Sequence, residues 1–226
     1  MREMLQTQFV AHEGQKVQYR FHPVMHLVDG SSYGAVCEMS EQFEERVSFG
    51  PALGGQGAAD PAKWLCGRLA EVASAAHQFD QRLRPIIVPA PLAALSHPNA
   101  AIGCDATIRR TSLCQQEICL EFEDTAFAGC PADSVQRVAH FRRHGFRVSI
   151  DMRKSWQTPL SNGLRLLIDT IRIDAREVEA NDALMDICEV ASASGIIIVA
   201  ENARWRDGDF FTRNGIEAGT KILADA

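Results

Sequence analysis

The sequence lacks the features that define several large classes of protein. No apolar run comes near the ~20 residues that a transmembrane helix needs, and the first residues lack the apolar core of a signal peptide. The seven cysteines form no C-x-x-C pair and their number is odd, which argues against a disulfide framework or a zinc ribbon. We therefore expect a cytoplasmic protein with reduced thiols and no membrane partner.

Clustered positive charge is missing as well. The net charge is -6, and basic residues occur only in short pairs such as Arg109-Arg110 and Arg142-Arg143. Because a nucleic-acid groove needs a concentration of Lys and Arg, we expect no nucleic-acid partner. The glycine-rich stretch Gly50–Gly57 lacks the Lys-Ser/Thr of a phosphate loop, and no nucleophile elbow is present.

What the sequence does contain is a series of short apolar runs that end in an acid. Their spacing, with 23 to 30 residues between successive terminal acids, leaves room for a helix and two loops, as a parallel crossover requires. Such repeats predict a parallel α/β sheet with its acids gathered at the carboxyl ends of the strands. The runs are Glu117–Glu121, Arg147–Asp151, Thr170–Asp174 and Gly195–Glu201.

The remaining segments fit one domain over residues 1–226. Val17–Val28 and Tyr33–Met39 predict an antiparallel hairpin, and Ile86–Val88 predicts a short strand. A helix is expected after Asp60-Pro61, and another from a cap at Asp133 or Ser134 to Gly145. Residues 1–16 suggest a helix or an arm, residues 207–214 a helix, and the stretch after Gly215 a turn and a tail.

The order of several motifs resembles that of the EAL domain, a cyclic-di-GMP phosphodiesterase module of bacterial signalling. The similarity is to the family patterns Y-x-Q-P-I, L-E-I-T-E, G-x-x-x-A-L-D, L-P-V-D-x-L-K-I-D and V-V-A-E. In chain order, the matching segments are Tyr19–Val24, Leu120–Asp124, Gly145–Asp151, Leu166–Asp174 and Ile198–Glu201.

The resemblance implies a modified (β/α)8 TIM-like barrel. Because the chain stops at Ala226, soon after the last motif, we expect an incomplete last α element and an edge or groove for protein docking there. Active members would bind two Mg²⁺ or Mn²⁺ ions and use metal-bound water to open the dinucleotide.

Residue by residue, the chain departs from the pattern of active members. Three acids at the expected site remain, Glu121, Asp151 and Glu201, but the Lys of K-I-D is Arg172, which cannot deprotonate to act as a base. Five other family positions have lost their acidic or amide side chain. They are Val36, Pro89, Met152, Arg204 and Thr220.

These losses imply no catalytic residue and no resident metal cofactor. Because unpaired buried acids are costly, we expect the three carboxylates to pair with Arg172, leaving at most weak Mg²⁺ or Ca²⁺ binding. The family's phosphate-gripping Arg falls on Ser40, next to Glu41. Cyclic-di-GMP binding through a pocket remnant of Arg172, Arg153 and Lys154 is conceivable but not favoured.

Three functional hypotheses follow from the sequence. The first is a catalytically inactive EAL-like regulatory module that binds an unidentified protein partner. The second is a non-hydrolysing cyclic-di-GMP receptor, and the third is a residual metal-dependent phosphodiesterase built on the three acids. A homodimer stays open, because the family's dimerising region falls on the altered stretch Met152–Leu160.

Two histidine pairs are interpreted as structural. His22 and His26 lie in a predicted strand and share no helical face, so they are not expected to bind a metal. His140 and His144 lie one turn apart near a helix end, where cations are favourable.

Overall fold

The computed structural model describes residues 8–11, 18–39, 60–76, 83–128, 131–178 and 180–222, which form one nine-stranded sheet with helices on its outside. The strands are β1 Gln8–Ala11, β2 Gln18–His26, β3 Ser32–Met39, β4 Ile86–Pro89, β5 Ile118–Glu123, β6 Arg147–Asp151, β7 Thr170–Asp174, β8 Ile197–Glu201 and β9 Ala218–Thr220.

The sheet closes into a barrel of eight strands. Strands β3 to β9 are parallel neighbours, and β2 joins the two ends by pairing antiparallel with both β3 and β9. Strand β1 lies outside the closed ring, where it pairs antiparallel with the first half of β2. The inverted β2 is what makes this a modified (β/α)8 barrel, and the predicted fold class is confirmed.

The helices lie between successive strands and cover the outer face of the barrel. Their bounds are α1 Pro61–Ala76, α2 Leu92–Leu95, α3 Ala100–Ile108, α4 Thr125–Ala128, α5 Pro131–Arg143, α6 Asn162–Arg165, α7 Ala175–Val178, α8 Asp182–Ala193 and α9 Gly208–Arg213. As predicted, Asp60 caps α1, because its Oδ1 accepts hydrogen bonds from the backbone N–H groups of Ala62 and Lys63. Within these described helices, none is long and apolar enough to cross a bilayer.

Two apolar layers hold the barrel together. The larger one fills the space between the sheet and its helices. The smaller one plugs the barrel interior with one side chain from each of six strands, namely Val24, Val36, Ile87, Cys119, Val199 and Ala218. Since the plug fills the middle of the barrel, a site inside the barrel can form only from the side chains beyond the plug at the strand ends.

Three local predictions were wrong. Part of the expected N-terminal helix or arm is strand β1, and α5 begins at Pro131 rather than after a cap at Asp133 or Ser134. Strand β9 lies in the segment where the sequence predicts a tail. The sequence does not predict this strand because Ala218 and Gly219 have little strand propensity. Gly50–Gly57, Ser40, Glu41 and residues 223–226 lie outside the described residues, and the incomplete last α element stays a prediction.

Gly34 is required where β3 meets β4. A Cβ on Gly34 would lie 2.3 Å from the carbonyl oxygen of Pro85, which itself accepts a hydrogen bond from Ala35 at 3.0 Å. We expect Gly34→Ala to lower the free energy of unfolding by about 1–3 kcal/mol, because backbone must move to admit the methyl group.

Gly67→Ala is the matched control, measured in the same urea titrations. Gly67 lies inside α1, and a Cβ added there would have no atom within 4 Å, so alanine should raise stability by up to about 1 kcal/mol. Equal effects of the two substitutions would contradict the close contact at Gly34.

Candidate functional site at the mouth of the barrel

Four carboxylates converge on the inner face of the barrel just above the apolar plug. Each lies two positions after an inward-facing residue of the same strand, because side chains alternate along a strand. The pairs are Val36 and Glu38 on β3, Cys119 and Glu121 on β5, Ser149 and Asp151 on β6, and Val199 and Glu201 on β8. The strand ends thus create a strongly acidic layer that needs neutralising charge.

Arg172 on β7 supplies the central positive charge of this layer. Its side chain is 1% exposed and lies beside Glu121, which is 2% exposed. Arg172 Nε donates to Glu121 Oε1 at 3.0 Å, and Nη2 donates to Oε2 of the same carboxylate. The guanidinium also lies 3.5 Å from Glu201 Oε2 and 3.7 Å from Asp151 Oδ2. One buried cation therefore contacts three of the four acids.

Arg153, in the loop after β6, is the second cation. Its Nε and Nη2 donate to the two oxygens of Asp151 at 2.9 and 2.8 Å, and its Nη1 donates to Glu201 Oε2 at 2.7 Å. This bidentate geometry is the strong form of an arginine–carboxylate pair. Arg153 therefore joins the ends of β6 and β8 across the mouth.

Lys221, just after β9, is the third cation. Its Nζ donates to Glu201 Oε1 at 2.9 Å and to Glu38 Oε1. The other oxygen of Glu38 lies 3.0 Å from Nε2 of His22 on β2. Lys221 adopts a φ of 48°, a left-handed backbone conformation that residues other than glycine rarely adopt. These contacts tie the end of β9 to β3 and β8.

We name the set Glu38, Glu121, Asp151, Glu201, Arg153, Arg172 and Lys221 the mouth cluster. Burial raises the pKa of Glu121, although the nearby Arg172 opposes the shift. For Asp151, burial is outweighed by hydrogen bonds from Arg153 and by the charge of Arg172, so its pKa is held below the usual range. Burial is likewise outweighed at Glu38, where His22 and Lys221 lower the pKa to about 2.

A buried carboxylate outside the cluster fixes the loop that carries Arg153. Asp124 follows β5 and is 1% exposed. Its side chain accepts hydrogen bonds from Ser155 Oγ at 2.6 Å and from the backbone N–H groups of Gln157 and Thr158 at 2.7 and 2.9 Å. The loop after β6 is therefore anchored at several points, which positions Arg153 over the mouth.

The other positions that the sequence singled out do not join the cluster. Lys154 and Arg204 are exposed, and Met152 is buried in the outer apolar layer. Val36 belongs to the plug, and Thr220 Oγ1 donates to the carbonyl of Pro23 at 3.1 Å. Pro89 is the last residue of β4, where it pairs with Glu121 in the sheet.

Comparison with solved structures identifies the architecture. The barrel matches the PaMucR phosphodiesterase in its cyclic-di-GMP complex with a TM-score of 0.67 at 16% identity, over 91% of this chain and 94% of that one. The EAL domain of Mycobacterium smegmatis DcpA matches with a TM-score of 0.64 at 16% identity, over 90% and 89% of the two chains. The chain has the fold of the EAL domain.

Longer proteins also contain this barrel. Klebsiella pneumoniae BlrP1, solved with manganese and cyclic-di-GMP, matches with a TM-score of 0.71 at 17% identity, over 95% of this chain and 56% of that one. The chain also spans 60% of the EAL enzyme Bd1971, solved with cAMP and cyclic-di-GMP. No family model and no curated protein matches the sequence.

The residues at the mouth do not fit the divalent metals that the EAL resemblance implies. Mg²⁺ and Mn²⁺ need carboxylate or amide oxygens with open lone pairs facing one another. Here both oxygens of Glu121, Asp151, Glu201 and Glu38 contact a guanidinium, an ammonium or an imidazole. Within the described ranges, no group of three or more His, Cys, Asp and Glu side chains is arranged to hold a metal ion.

Sequence reasoning did not assign four residues of this region to the site: Glu38, His22, Lys221 and Asp124. The alternation of side chains along β3 could have identified Glu38, because Glu38 and Val36, two residues apart, face the same side of the strand. Asp124 was visible as the final acid of Leu120–Asp124. Lys221 carried no such signal, because the strand before it was not recognised.

The mouth cluster generates a prediction about Arg172. Arg172→Met would leave Glu121 buried without its main partner, and we expect a loss of about 3–5 kcal/mol in the free energy of unfolding. Adding Glu121→Gln should recover part of this loss, because the uncompensated charge is then removed. Denaturant titration of the two single variants and the double variant measures the coupling.

Lys154→Met is the control for removing a cation from the same side of the barrel. Lys154 is exposed, and we expect its replacement to change stability by no more than about 0.5 kcal/mol. Strictly additive effects of Arg172→Met and Glu121→Gln would refute the pairing.

Proposed function

We propose that this chain is a cyclic-di-GMP-related signalling module of the EAL fold that does not hydrolyse the dinucleotide and that acts by binding a protein partner. The observation that carries the proposal is the mouth cluster, where arginine and lysine side chains engage the carboxylates that a metal-dependent hydrolase would need free.

Metal-dependent hydrolysis is disfavoured by the energetics of the cluster. A metal ion would have to displace the buried Arg172 from Glu121, and the partly exposed Arg153 and Lys221 from Asp151 and Glu201. Breaking the buried Arg172–Glu121 pair alone typically costs about 3–5 kcal/mol. Without a bound metal, the carboxylates cannot produce the activated water that two-metal phosphodiester cleavage uses.

Arg172 also argues against general-base chemistry at the mouth. It stands where the resemblance places a lysine, and a guanidinium keeps its proton at any physiological pH. Its Nε, Nη1 and Nη2 are all directed at carboxylate oxygens. Arg172 thus offers a fixed positive charge here and cannot itself accept a proton.

A non-hydrolysing receptor for cyclic-di-GMP is the second candidate, because Arg153 and Lys221 are partly exposed, with 24% and 28% of their side-chain surface accessible. Two cations at a barrel mouth can contact phosphate oxygens. Both already hold two carboxylates, however, and the mouth cluster has four acids against three cations. This balance favours a protein partner over an anionic ligand.

The protein-binding role rests on a retained fold with a neutralised mouth. A second copy of the chain is one partner that this proposal allows, and the product would be a homodimer. A reducing, cytoplasmic setting agrees with the thiols, since Cys37, Cys66, Cys104, Cys114, Cys119 and Cys188 are all free.

The test is a turnover assay with cyclic-di-GMP in Mg²⁺ and Mn²⁺, followed by chromatography of the linear dinucleotide. The PaMucR phosphodiesterase serves as the positive control. We expect no product above the protein-free blank. Metal-dependent product that disappears in Glu121→Ala would establish the residual hydrolase and overturn the proposal.

Calorimetric titration with cyclic-di-GMP in Ca²⁺ separates the two remaining candidates. No binding in the micromolar range is expected of a protein-binding module. Micromolar binding that is lost in Arg153→Ala but kept in Lys154→Ala would instead establish the receptor, because these adjacent cations differ in their contact with the cluster.

A further inference from the structure

Two cysteines that are far apart in sequence meet in the helical layer outside the barrel. Cys66 lies on α1 and Cys104 lies on α3, and the two helices pack against each other. The approach is close at Gly103, where an added Cβ would lie 3.0 Å from Cys66 Sγ. Glycine at this position gives the Cys66 sulfur room beside α3.

The two thiols are hydrogen-bonded to each other but differ in environment. Cys104 is completely buried, and its hydrogen bond to Cys66, together with burial, raises its pKa. The pKa of Cys66 is lowered to about 6, chiefly by the hydrogen bond from Cys104 and further by a hydrogen bond from Thr107. Burial and the charge of Asp60 oppose this shift. Cys66 is also partly accessible to solvent. One sulfur is thus a reachable thiolate, and the other is a protonated thiol in contact with it.

Three other buried thiols among the described residues have no such activation. Burial raises the pKa of Cys37, Cys119 and Cys188, so these remain protonated and shielded. Because the thiolate is the form that reacts with oxidants, selectivity for Cys66 over these three thiols follows from accessibility and charge together.

We propose that Cys66 and Cys104 form an oxidisable dithiol, which a hydroperoxide converts to a disulfide that joins α1 to α3. The Cys66 thiolate attacks the peroxide oxygen; the O–O bond breaks, the leaving oxygen takes a proton, and Cys66 becomes a sulfenic acid. The Cys104 sulfur then attacks the Cys66 sulfur, the S–O bond breaks, and the Cys104 proton leaves with the hydroxyl as water. Two thiols are oxidised and one peroxide is reduced. This inference stands apart from the proposed function, because it involves no residue of the mouth cluster.

In the experiment, the reduced 226-residue chain is treated with hydrogen peroxide, the remaining thiols are blocked, and peptides are mapped under non-reducing conditions. The expected product is a Cys66–Cys104 cross-link, with a chain mass lower by two hydrogens. Cys104→Ser should stop at a Cys66 sulfenic acid that dimedone traps, whereas Cys66→Ser should leave Cys104 unmodified. Cys114→Ser, which removes an exposed thiol, is the control that should keep the cross-link.

A second measurement on the unmodified chain does not depend on how the variants fold. The alkylation rate of Cys66 as a function of pH should reach its half-maximum near 6. A midpoint near the ordinary cysteine value of about 8.5 would overturn the proposal. So would peroxide treatment that oxidises other thiols and yields no Cys66–Cys104 peptide.

Discussion

The Arg172–Glu121 pair inside the barrel is the interaction on which the mouth of this protein depends. A guanidinium cannot neutralise itself by losing a proton, so a buried arginine requires anions within contact distance. Glu121 meets this requirement through two hydrogen bonds, and Asp151 and Glu201 lie at the edges of the same guanidinium. In the same way, the acids at the strand ends are neutralised by side chains of the chain itself.

The other two cations, Arg153 and Lys221, also connect the ends of different strands of the barrel. Arg153 couples the ends of β6 and β8, and Lys221 couples the end of β9 to β3 and β8. Asp124 fixes the loop that brings Arg153 into place. Because the ion pairs of the mouth engage its carboxylates, we propose that the molecule binds partners mainly through its outer surface. The proposed binding role is based on this arrangement.

Much of the fold was accessible from the sequence, and the reasons are local. The runs ending in Glu121, Asp151, Asp174 and Glu201 carry β-branched residues and regular spacing, which determine both strand and direction. Strand β9 was missed because it has only three residues and two of them, Ala218 and Gly219, have little strand propensity. This strand is formed by its pairing with β2 and β8.

The site was predictable only in part for a related reason. The acids and Arg172 lie on recognisable strands, so their convergence followed from topology. Lys221 meets Glu38 across 183 positions in sequence, and this contact exists only once the barrel has closed. A motif comparison treats single positions, so it does not reveal which cations lie beside the carboxylates.

The most direct test of the proposal that these cations exclude a metal is a calorimetric titration of Mn²⁺ into the metal-free protein, with Klebsiella pneumoniae BlrP1 as the positive control. If arginine and lysine occupy the carboxylates, Mn²⁺ should give no saturable heat up to millimolar concentration. A saturable site for one or two ions that disappears in Glu121→Gln would show that the carboxylates remain available to metal, and would contradict the account.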